Sequence, residues 1–169
     1  MLIKSVLGKK PIWGKDCFVA DNATLIGDVV IGDYCSIWFN TVVRGDVNAI
    51  RIGNNVNIQD GSVVHSTYKK STTSIGNNVS IGHNAIIHGC TIDDFVLIGM
   101  GSIVMDHVKI NSNTIIAAGS IVKENTIIEP NSIYAGVPVK KIKDIDHSKS
   151  KKEIERIAKN YLTYSSWYK

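Results

Sequence analysis

Aliphatic residues recur at every sixth position along most of the chain. With three register shifts allowed, 18 positions are all Ile, Leu or Val; they are Val19, Leu25, Ile31, Ile37, Val43, Ile52, Ile58, Val64, Ile75, Ile81, Ile87, Ile92, Ile98, Val104, Ile110, Ile116, Val122 and Ile128. Gly often follows the aliphatic residue and Asn or Asp comes next. Gly and Asn tolerate the left-handed backbone of tight corners. Each unit is therefore predicted to be a short strand and a corner, with one aliphatic side chain pointing inward.

A six-residue unit cannot bury its own apolar face, so the pattern predicts a stack of units. Three units close one triangular coil of about 18 residues, and parallel strands of successive coils lie about 4.8 Å apart. An ordinary sandwich would show period two and turns every 8–12 residues or so, which does not fit. We predict an all-β fold, a three-faced prism from about Val19 to Tyr134. Ile98, Val104 and Ile110 should point inward from three successive faces.

The pattern changes after the segment YAGVPVKKI, residues 134–142. Apolar residues then take the spacing of one helix face; they are Ile154, Ile157, Ala158, Tyr161 and Leu162. Ser150 and Glu153 have the spacing of a capping box, which predicts a helix that starts near Ser150. We therefore expect two units, a prism over residues 1–142 and a C-terminal α-helix within 143–169 that packs on it.

Charge and cysteine content narrow the function classes. Residues 140–169 carry nine Lys/Arg against four Asp/Glu, whereas residues 1–139 carry ten against eleven. The basic residues suit a solvated helix face, and without a basic stripe on the body we expect no nucleic-acid partner. We also expect no membrane span and no signal peptide. Three widely spaced cysteines, Cys17, Cys35 and Cys90, without a CxxC pair indicate a reduced, cytoplasmic protein.

The repeat decides which histidines are partners. His65 directly follows inward Val64, and His88 directly follows inward Ile87. Once a five-residue insertion between Val64 and Ile75 is set aside, the two histidines lie one complete coil apart. Their Cα atoms should then be about 4.8 Å apart. Both imidazoles could reach one metal ion at bond lengths of about 2.0–2.1 Å.

His83 takes a different place, although it lies only five residues before His88. It follows Ile81 by two and belongs to the preceding face, so we do not expect it to join His65 and His88 within one chain. A neighbouring chain of a trimer would bring it to them. Three neutral imidazoles that leave a fourth position open form a catalytic zinc site.

Three motifs carry a family resemblance: VVRGDV (42–47), NIQDGSVVH (57–65) and IGHNAIIHG (81–89). Together they resemble the γ-class carbonic anhydrases and their close relatives, which are hexapeptide-repeat proteins with a left-handed parallel β-helix. The likeness to that fold covers roughly residues 11–140 and supplies the left hand, because general connection rules favour the opposite one. It implies reversible hydration of CO2 to bicarbonate by a homotrimer with metal sites between its subunits.

The resemblance also assigns the metal ligands. His65 and His88 would bind the metal from one subunit and His83 from the next. The implied metal is Zn²⁺, with Fe²⁺ or Co²⁺ as alternatives that suit the same three histidines.

Five polar residues match further family positions. Gln59 would hydrogen-bond the hydroxide on the metal, and Asn57 would line the site. Arg44, Asp46 and Asp60 would form a charged cluster across the subunit interface. One of the two aspartates would help protons to leave through water.

The chain departs from the family pattern in its acids. Its first glutamate is Glu124, Val47 follows Asp46, and the inserted loop 66–74 carries Lys69 and Lys70. We therefore expect modest turnover, with protons exported through buffer. Two other functions stay open: a hexapeptide-repeat acyltransferase or acyl-CoA thioesterase-like enzyme, and a non-catalytic trimeric assembly subunit.

Overall fold

A computed structural model describes residues 1–168, and their strands form a left-handed parallel β-helix with three faces. The first face contains β1 (Leu2–Lys4), the first halves of β4 (Thr24–Ile31) and β6 (Val42–Ile52), β8 (Val63–His65), β11 (Ile86–His88), β14 (Ile103–Val104) and β17 (Ile121–Val122). The second contains β2 (Ile12–Trp13), the second halves of β4 and β6, β9 (Thr73–Ile75), β12 (Thr91–Ile92), β15 (Lys109–Ile110) and β18 (Ile127–Ile128).

The last strands of the third face end the prism and connect it to the C-terminal helix. The third face contains β3 (Phe18–Val19), β5 (Ser36–Ile37), β7 (Asn57–Ile58), β10 (Ser80–Ile81), β13 (Val96–Ile98), β16 (Thr114–Ile116) and β19 (Ser132–Gly136). Strand β20 (Val139–Asp144) then pairs antiparallel with β19, so the last strand continues past position 142, the predicted end of the prism. Helix α1 (His147–Ser166) follows. The predicted fold class is confirmed.

The core is the column of inward aliphatic side chains. Of the 18 predicted inward positions, 17 are buried, and Val19 in the lowest coils is half-buried. Ile98, Val104 and Ile110 are fully buried on β13, β14 and β15, one on each face, as predicted. The stacking of each side chain on the coil below removes it from water, which is the main stabilising contribution of this fold.

The glycines that follow inward residues serve close packing. A Cβ built on Gly53 would lie 2.7 Å from the carbonyl oxygen of Gly76 in the next coil. The left-handed residue of that corner is Asn55, with φ of 55°. Of the two residue types predicted for the left-handed backbone of the corners, asparagine supplies it here and glycine allows the close approach of the next coil.

The outer surfaces of the three faces differ in chemistry. Along the first face the outward residues form an aliphatic column, here called the apolar ladder; it consists of Val42, Val63, Ile86, Ile103 and Ile121. On the second face the corresponding residues are Arg51, Ser74, Thr91, Lys109 and Ile127, of which only the last is apolar. On the third face Ser36, Asn57 and Ser80 are in register and buried. Helix α1 contacts strands β5 and β10 of that face.

Helix α1 begins at His147, so the predicted start near Ser150 is wrong. Asp146, a residue type favoured at helix N-caps, precedes the helix. Ser150 instead lies one turn inside, where its hydroxyl donates to the carbonyl oxygen of His147 at 3.2 Å. The apolar stripe is confirmed, because Ile154 and Ala158 are buried. Over the described part of the chain, no helix combines the length and apolar character needed to cross a membrane.

Candidate metal centre

The candidate residues lie on the two corners that bound the first face. We call the corner between the third and first faces the entry corner, and the corner between the first and second faces the exit corner. Ile58 and Ile81 are register partners, so Asp60 and His83, two residues further on, stack at the entry corner. The Nδ1 atom of His83 lies 2.9 Å from Oδ2 of Asp60.

His65 and His88 form the exit-corner pair. They are register partners on β8 and β11, as the one-coil spacing predicted. Nδ1 of His65 lies 3.2 Å from Nε2 of His88, and the ring centroids are 5.2 Å apart. The parallel ladder sets the spacing of the two backbones at about 4.8 Å, so both side chains start from adjacent positions on the same corner.

Each of the three histidines contacts a carboxylate through one ring nitrogen. Nε2 of His65 lies 3.1 Å from Asp46, Nδ1 of His88 lies 2.7 Å from Asp106, and His83 contacts Asp60 as described. Metal-binding histidines usually donate their second ring N–H to a carboxylate, which fixes the tautomer and directs the other nitrogen to the metal. The pattern is therefore typical of metal ligands.

Asp106 is the residue that the sequence reasoning missed. Ile87 pairs with Val104 of the next coil, and Asp106 follows Val104 by two residues. Asp106 therefore lies above His88 and contacts it. It also accepts hydrogen bonds from the hydroxyls of Thr67 and Ser71, and so fastens the inserted loop to the exit corner. The register of the next coil was the signal that could have identified it.

The protonation states suit a metal site. Burial lowers the pKa of His65 below its usual value, the Arg44 charge adds to this, and the Asp46 hydrogen bond opposes it. Burial alone would raise the pKa of Asp46, but hydrogen bonds from Arg44 and His65 lower it overall. The pKa of Asp106 is also lowered, because its hydrogen bonds outweigh its burial. These shifts favour a neutral His65 imidazole beside an ionised Asp46, and an ionised Asp106 beside His88.

The exit-corner donor set fits a divalent metal. If both neutral imidazoles donate to their aspartates, Nδ1 of His65 and Nε2 of His88 have lone pairs that face each other at 3.2 Å. In a tetrahedral zinc site with bonds of 2.0–2.1 Å, neighbouring ligand nitrogens are about 3.3 Å apart. Within residues 1–168 of one chain, no three His, Cys, Asp or Glu side chains converge as a metal site. The exit corner therefore offers two nitrogen donors to a metal.

The other predicted residues divide between the two corners. Gln59 lies at the entry corner, where its Nε2 donates to Oδ1 of Asn57 at 2.9 Å. Asn57 in turn donates to the hydroxyl of Ser80 at 2.7 Å, and it is buried. Arg44 belongs to the exit corner and contacts Asp46 at 2.6 Å. One chain thus groups Gln59 with Asp60 and His83, and separately groups Arg44 with Asp46 and the histidine pair.

The coiled prism with corner histidines defines this chain as a hexapeptide-repeat protein of the left-handed β-helix class. The family described as "Bacterial transferase hexapeptide (six repeats)" matches residues 14–45 and 89–124. A crystal structure of a hexapeptide transferase family protein from Anaplasma phagocytophilum superposes with a TM-score of 0.93 at 38% identity, covering 99% of this chain and 98% of that one.

Curated relatives define the family more closely. The chain is 42% identical to "Carbonic anhydrase" of Geobacillus kaustophilus, over 96% of this chain and 88% of the relative. It is 47% identical to "Probable carbonic anhydrase" of Methanocaldococcus jannaschii, over 89% and 91%. The chain belongs to the γ-carbonic anhydrase-like family of hexapeptide-repeat proteins.

Proposed function

We propose that three copies of this chain assemble with their first faces around a common axis, and that the assembly hydrates CO2 reversibly to bicarbonate. The observation that carries the proposal is the division of the ligands between the two corners of one face. The segment from Gln59 to His65 crosses the first face from the entry corner to the exit corner, and its length limits the distance between the two corners to about 20 Å. A closed ring brings the entry corner of each copy to the exit corner of the next, where His83 completes the pair His65 and His88.

The surface of the first face supports this arrangement. The apolar ladder runs along its middle, and Ile86 is 39% exposed in the single chain. An aliphatic column between two rows of histidine and charged residues is the composition of a subunit interface. The second face offers Arg51 and Lys109 instead. The first face is therefore the interface, and the second faces water.

The reaction uses chemistry that both corners contribute. The three imidazoles would hold a divalent metal, which when bound would lower the pKa of a water molecule to about 7. Asp46 and Asp106 hold the rings of His65 and His88 so that their free nitrogens face the same point. Gln59, fixed by Asn57, orients the attacking oxygen from the entry corner. Asp60 holds the ring of His83.

A second candidate is acyl transfer or thioester hydrolysis. It is supported by the transferase description of the matching hexapeptide family and of the Anaplasma structure. Acyltransferases of this class need one histidine as base, whereas here three histidines each contact a carboxylate. That pattern favours the metal-dependent hydration of CO2. A non-catalytic assembly subunit is the alternative if neither activity is found.

CO2 hydration is the direct test of the proposed activity. Protein purified without oxygen and loaded with Zn²⁺, Co²⁺ or Fe²⁺ should hydrate CO2 at a modest rate that rises with pH around 7, because the attacking water ionises there. Stopped-flow indicator assays measure the rate. Added imidazole buffer should raise turnover more than the second-order rate constant with CO2, because the inserted loop 66–74 carries two lysines and no acid that could export protons. Hydration at the background rate across pH 6–9 with all three metals would overturn the proposal.

Replacing Gln59 by alanine tests the contribution of the entry corner. Loss of an orienting group should lower kcat/KM about 100-fold, while metal content stays at the level of the unsubstituted protein. Metal analysis and stopped-flow hydration on the same sample separate the two effects. Asn111→Ala removes an amide that donates to the carbonyl oxygen of Ile128 in the upper coils and serves as the control. A Gln59→Ala protein with unchanged hydration would show that Gln59 has no such role.

A further inference from the structure

Two cysteines lie opposite each other in the lowest coils of the prism. Phe18 and Ser36 are register partners of β3 and β5, so Cys17 and Cys35, one position before them, face each other across adjacent coils. The N–H of Phe18 donates to the carbonyl oxygen of Cys35 at 2.9 Å, as this pairing requires. Parallel strands place such Cα atoms about 4.8 Å apart. A disulfide spans Cα separations of about 4.4–6.8 Å, so the backbone already has the spacing that a bond between the two sulfurs needs.

The sulfur atoms are also close to the partner backbone. The N–H of Cys35 donates to Sγ of Cys17 at 3.4 Å. The thiol of Cys17 donates to the carbonyl oxygen of Gly32 at 3.1 Å, and the thiol of Cys35 donates to that of Gly53 at 3.1 Å. Thiols are weak hydrogen-bond donors. Turning the Cys35 side chain toward Cys17 therefore sacrifices only a weak interaction.

Packing alone does not explain two adjacent thiols at this position. The register places Val56, Val79 and Val96 at the same position in the three coils above, and all three are buried. Valine thus fills this column wherever only volume is needed. The chain has three cysteines, and two of them occupy neighbouring places in the column.

The two sulfurs differ in accessibility. Cys17 is half-buried, whereas Cys35 is buried. The hydrogen bond with Cys17, together with burial, raises the pKa of Cys35 above its usual value. Cys35 therefore keeps its proton, and Cys17 is the sulfur that ionises and meets a dissolved oxidant. Both lie at the corner between the second and third faces, which does not border the first face, so the proposed trimer does not cover it.

We propose that Cys17 and Cys35 form a redox site that a peroxide oxidises to a disulfide. The Cys17 thiolate attacks one peroxide oxygen, the O–O bond breaks, and the released hydroxide takes up a proton to form water. The sulfur of Cys35 then attacks the sulfenic acid on Cys17. The S–S bond forms, the S–O bond breaks, and the thiol proton leaves with the hydroxyl group as a second water. Two electrons pass from the sulfurs to the peroxide.

The disulfide would tie the first coil of the prism to the second. A dithiol reductant reverses the reaction by thiol–disulfide exchange. The site lies within one chain and contains none of the metal-binding histidines. It therefore does not depend on the proposed CO2 hydration.

Peptide mapping tests the bond directly. The full chain, freed of reductant, is treated with excess hydrogen peroxide and then alkylated with N-ethylmaleimide under denaturing conditions. Trypsin leaves both cysteines in one peptide, residues 16–44. That peptide should lose two hydrogens and take up no maleimide, and dithiothreitol before alkylation should restore two maleimides. Cys90, whose pKa burial raises to about 12, should stay a thiol and take up maleimide.

Variants separate the disulfide from general oxidation. Cys35→Val should leave Cys17 as a sulfenic or sulfinic acid, because no second thiol is present to close the bond. Cys90→Val is the matched control and should form the disulfide as the unsubstituted protein does. At equal metal content, the disulfide should raise Tm by roughly 5–10 °C. Peroxide-treated Cys35→Val, which undergoes the same methionine oxidation, should show no such rise.

Four outcomes would overturn the proposal. Two maleimides on peptide 16–44 after peroxide treatment would show that the thiols only fill the column. A sulfinic acid on Cys17 with Cys35 still alkylated would show that the pair does not close. Disulfide-linked dimers on a non-reducing gel would place the bond between chains. An unchanged Tm of the oxidised protein would show that the bond does not fasten the coils. If Cys35→Val fails to fold by circular dichroism, Cys17→Val replaces it, and its Cys35 should remain alkylated.

Discussion

Replacing His88 by alanine is expected to abolish metal binding and, with it, CO2 hydration. Removing a carboxylate that only supports a ligand costs about 10–100-fold in metal affinity or activity. Loss of the ligand itself should exceed that range. His65 would then be the one metal-binding histidine left at the exit corner, because His83 lies at the other corner of the face. Metal content per chain, measured after dialysis, is the readout.

Two further variants provide a comparison for this loss of metal binding. Asp106→Asn leaves His88 in place but removes the carboxylate at 2.7 Å, so metal affinity should fall by about 10–100-fold. His147→Ala removes an exposed histidine at the start of helix α1, where it contacts Asn131, and should change nothing. If His88→Ala retained metal as well as His147→Ala does, the assigned ligand set would be wrong.

The coil could be predicted from the sequence because every coil makes the same contacts with its neighbours. Each inward aliphatic residue, such as Ile98 or Ile110, makes the same contact as its equivalents one coil above and below. One period in the sequence therefore determines both the strand positions and their register. The same arithmetic predicts that His65 stacks on His88, and the strand register confirms it.

Features that depend on an irregular coil or on tertiary docking were not predictable in this way. The step from Ile87 to Val104 is 17 residues rather than 18, so Asp106 lies one position beyond the register partner of His88 and reaches that histidine through its side chain. The start of helix α1 was misplaced, because a capping-box spacing at Ser150 competed with Asp146, whose residue type also suits an N-cap. The ring contact between Trp38 of the prism and Tyr161 of helix α1 forms only when the helix docks, and no sequence period relates these two residues.

Each metal centre is proposed to combine histidines of two adjacent copies. Co-expression of two variants tests this arrangement. Neither His83→Ala nor His65→Ala should hold metal alone. In every mixed trimer, one of the three interfaces should pair an intact exit corner with an intact entry corner. Co-expression of His65→Ala with His88→Ala is the matched control, because no chain then has a complete exit corner.

The measurement is metal content per chain in mixed trimers, isolated with two different affinity tags and verified by native mass spectrometry. The structure leads us to expect substantial recovery for His83→Ala with His65→Ala and none for His65→Ala with His88→Ala. Mixed trimers that hold no metal in the first combination, or equal amounts in both, would contradict a centre built from the entry corner of one copy and the exit corner of the next.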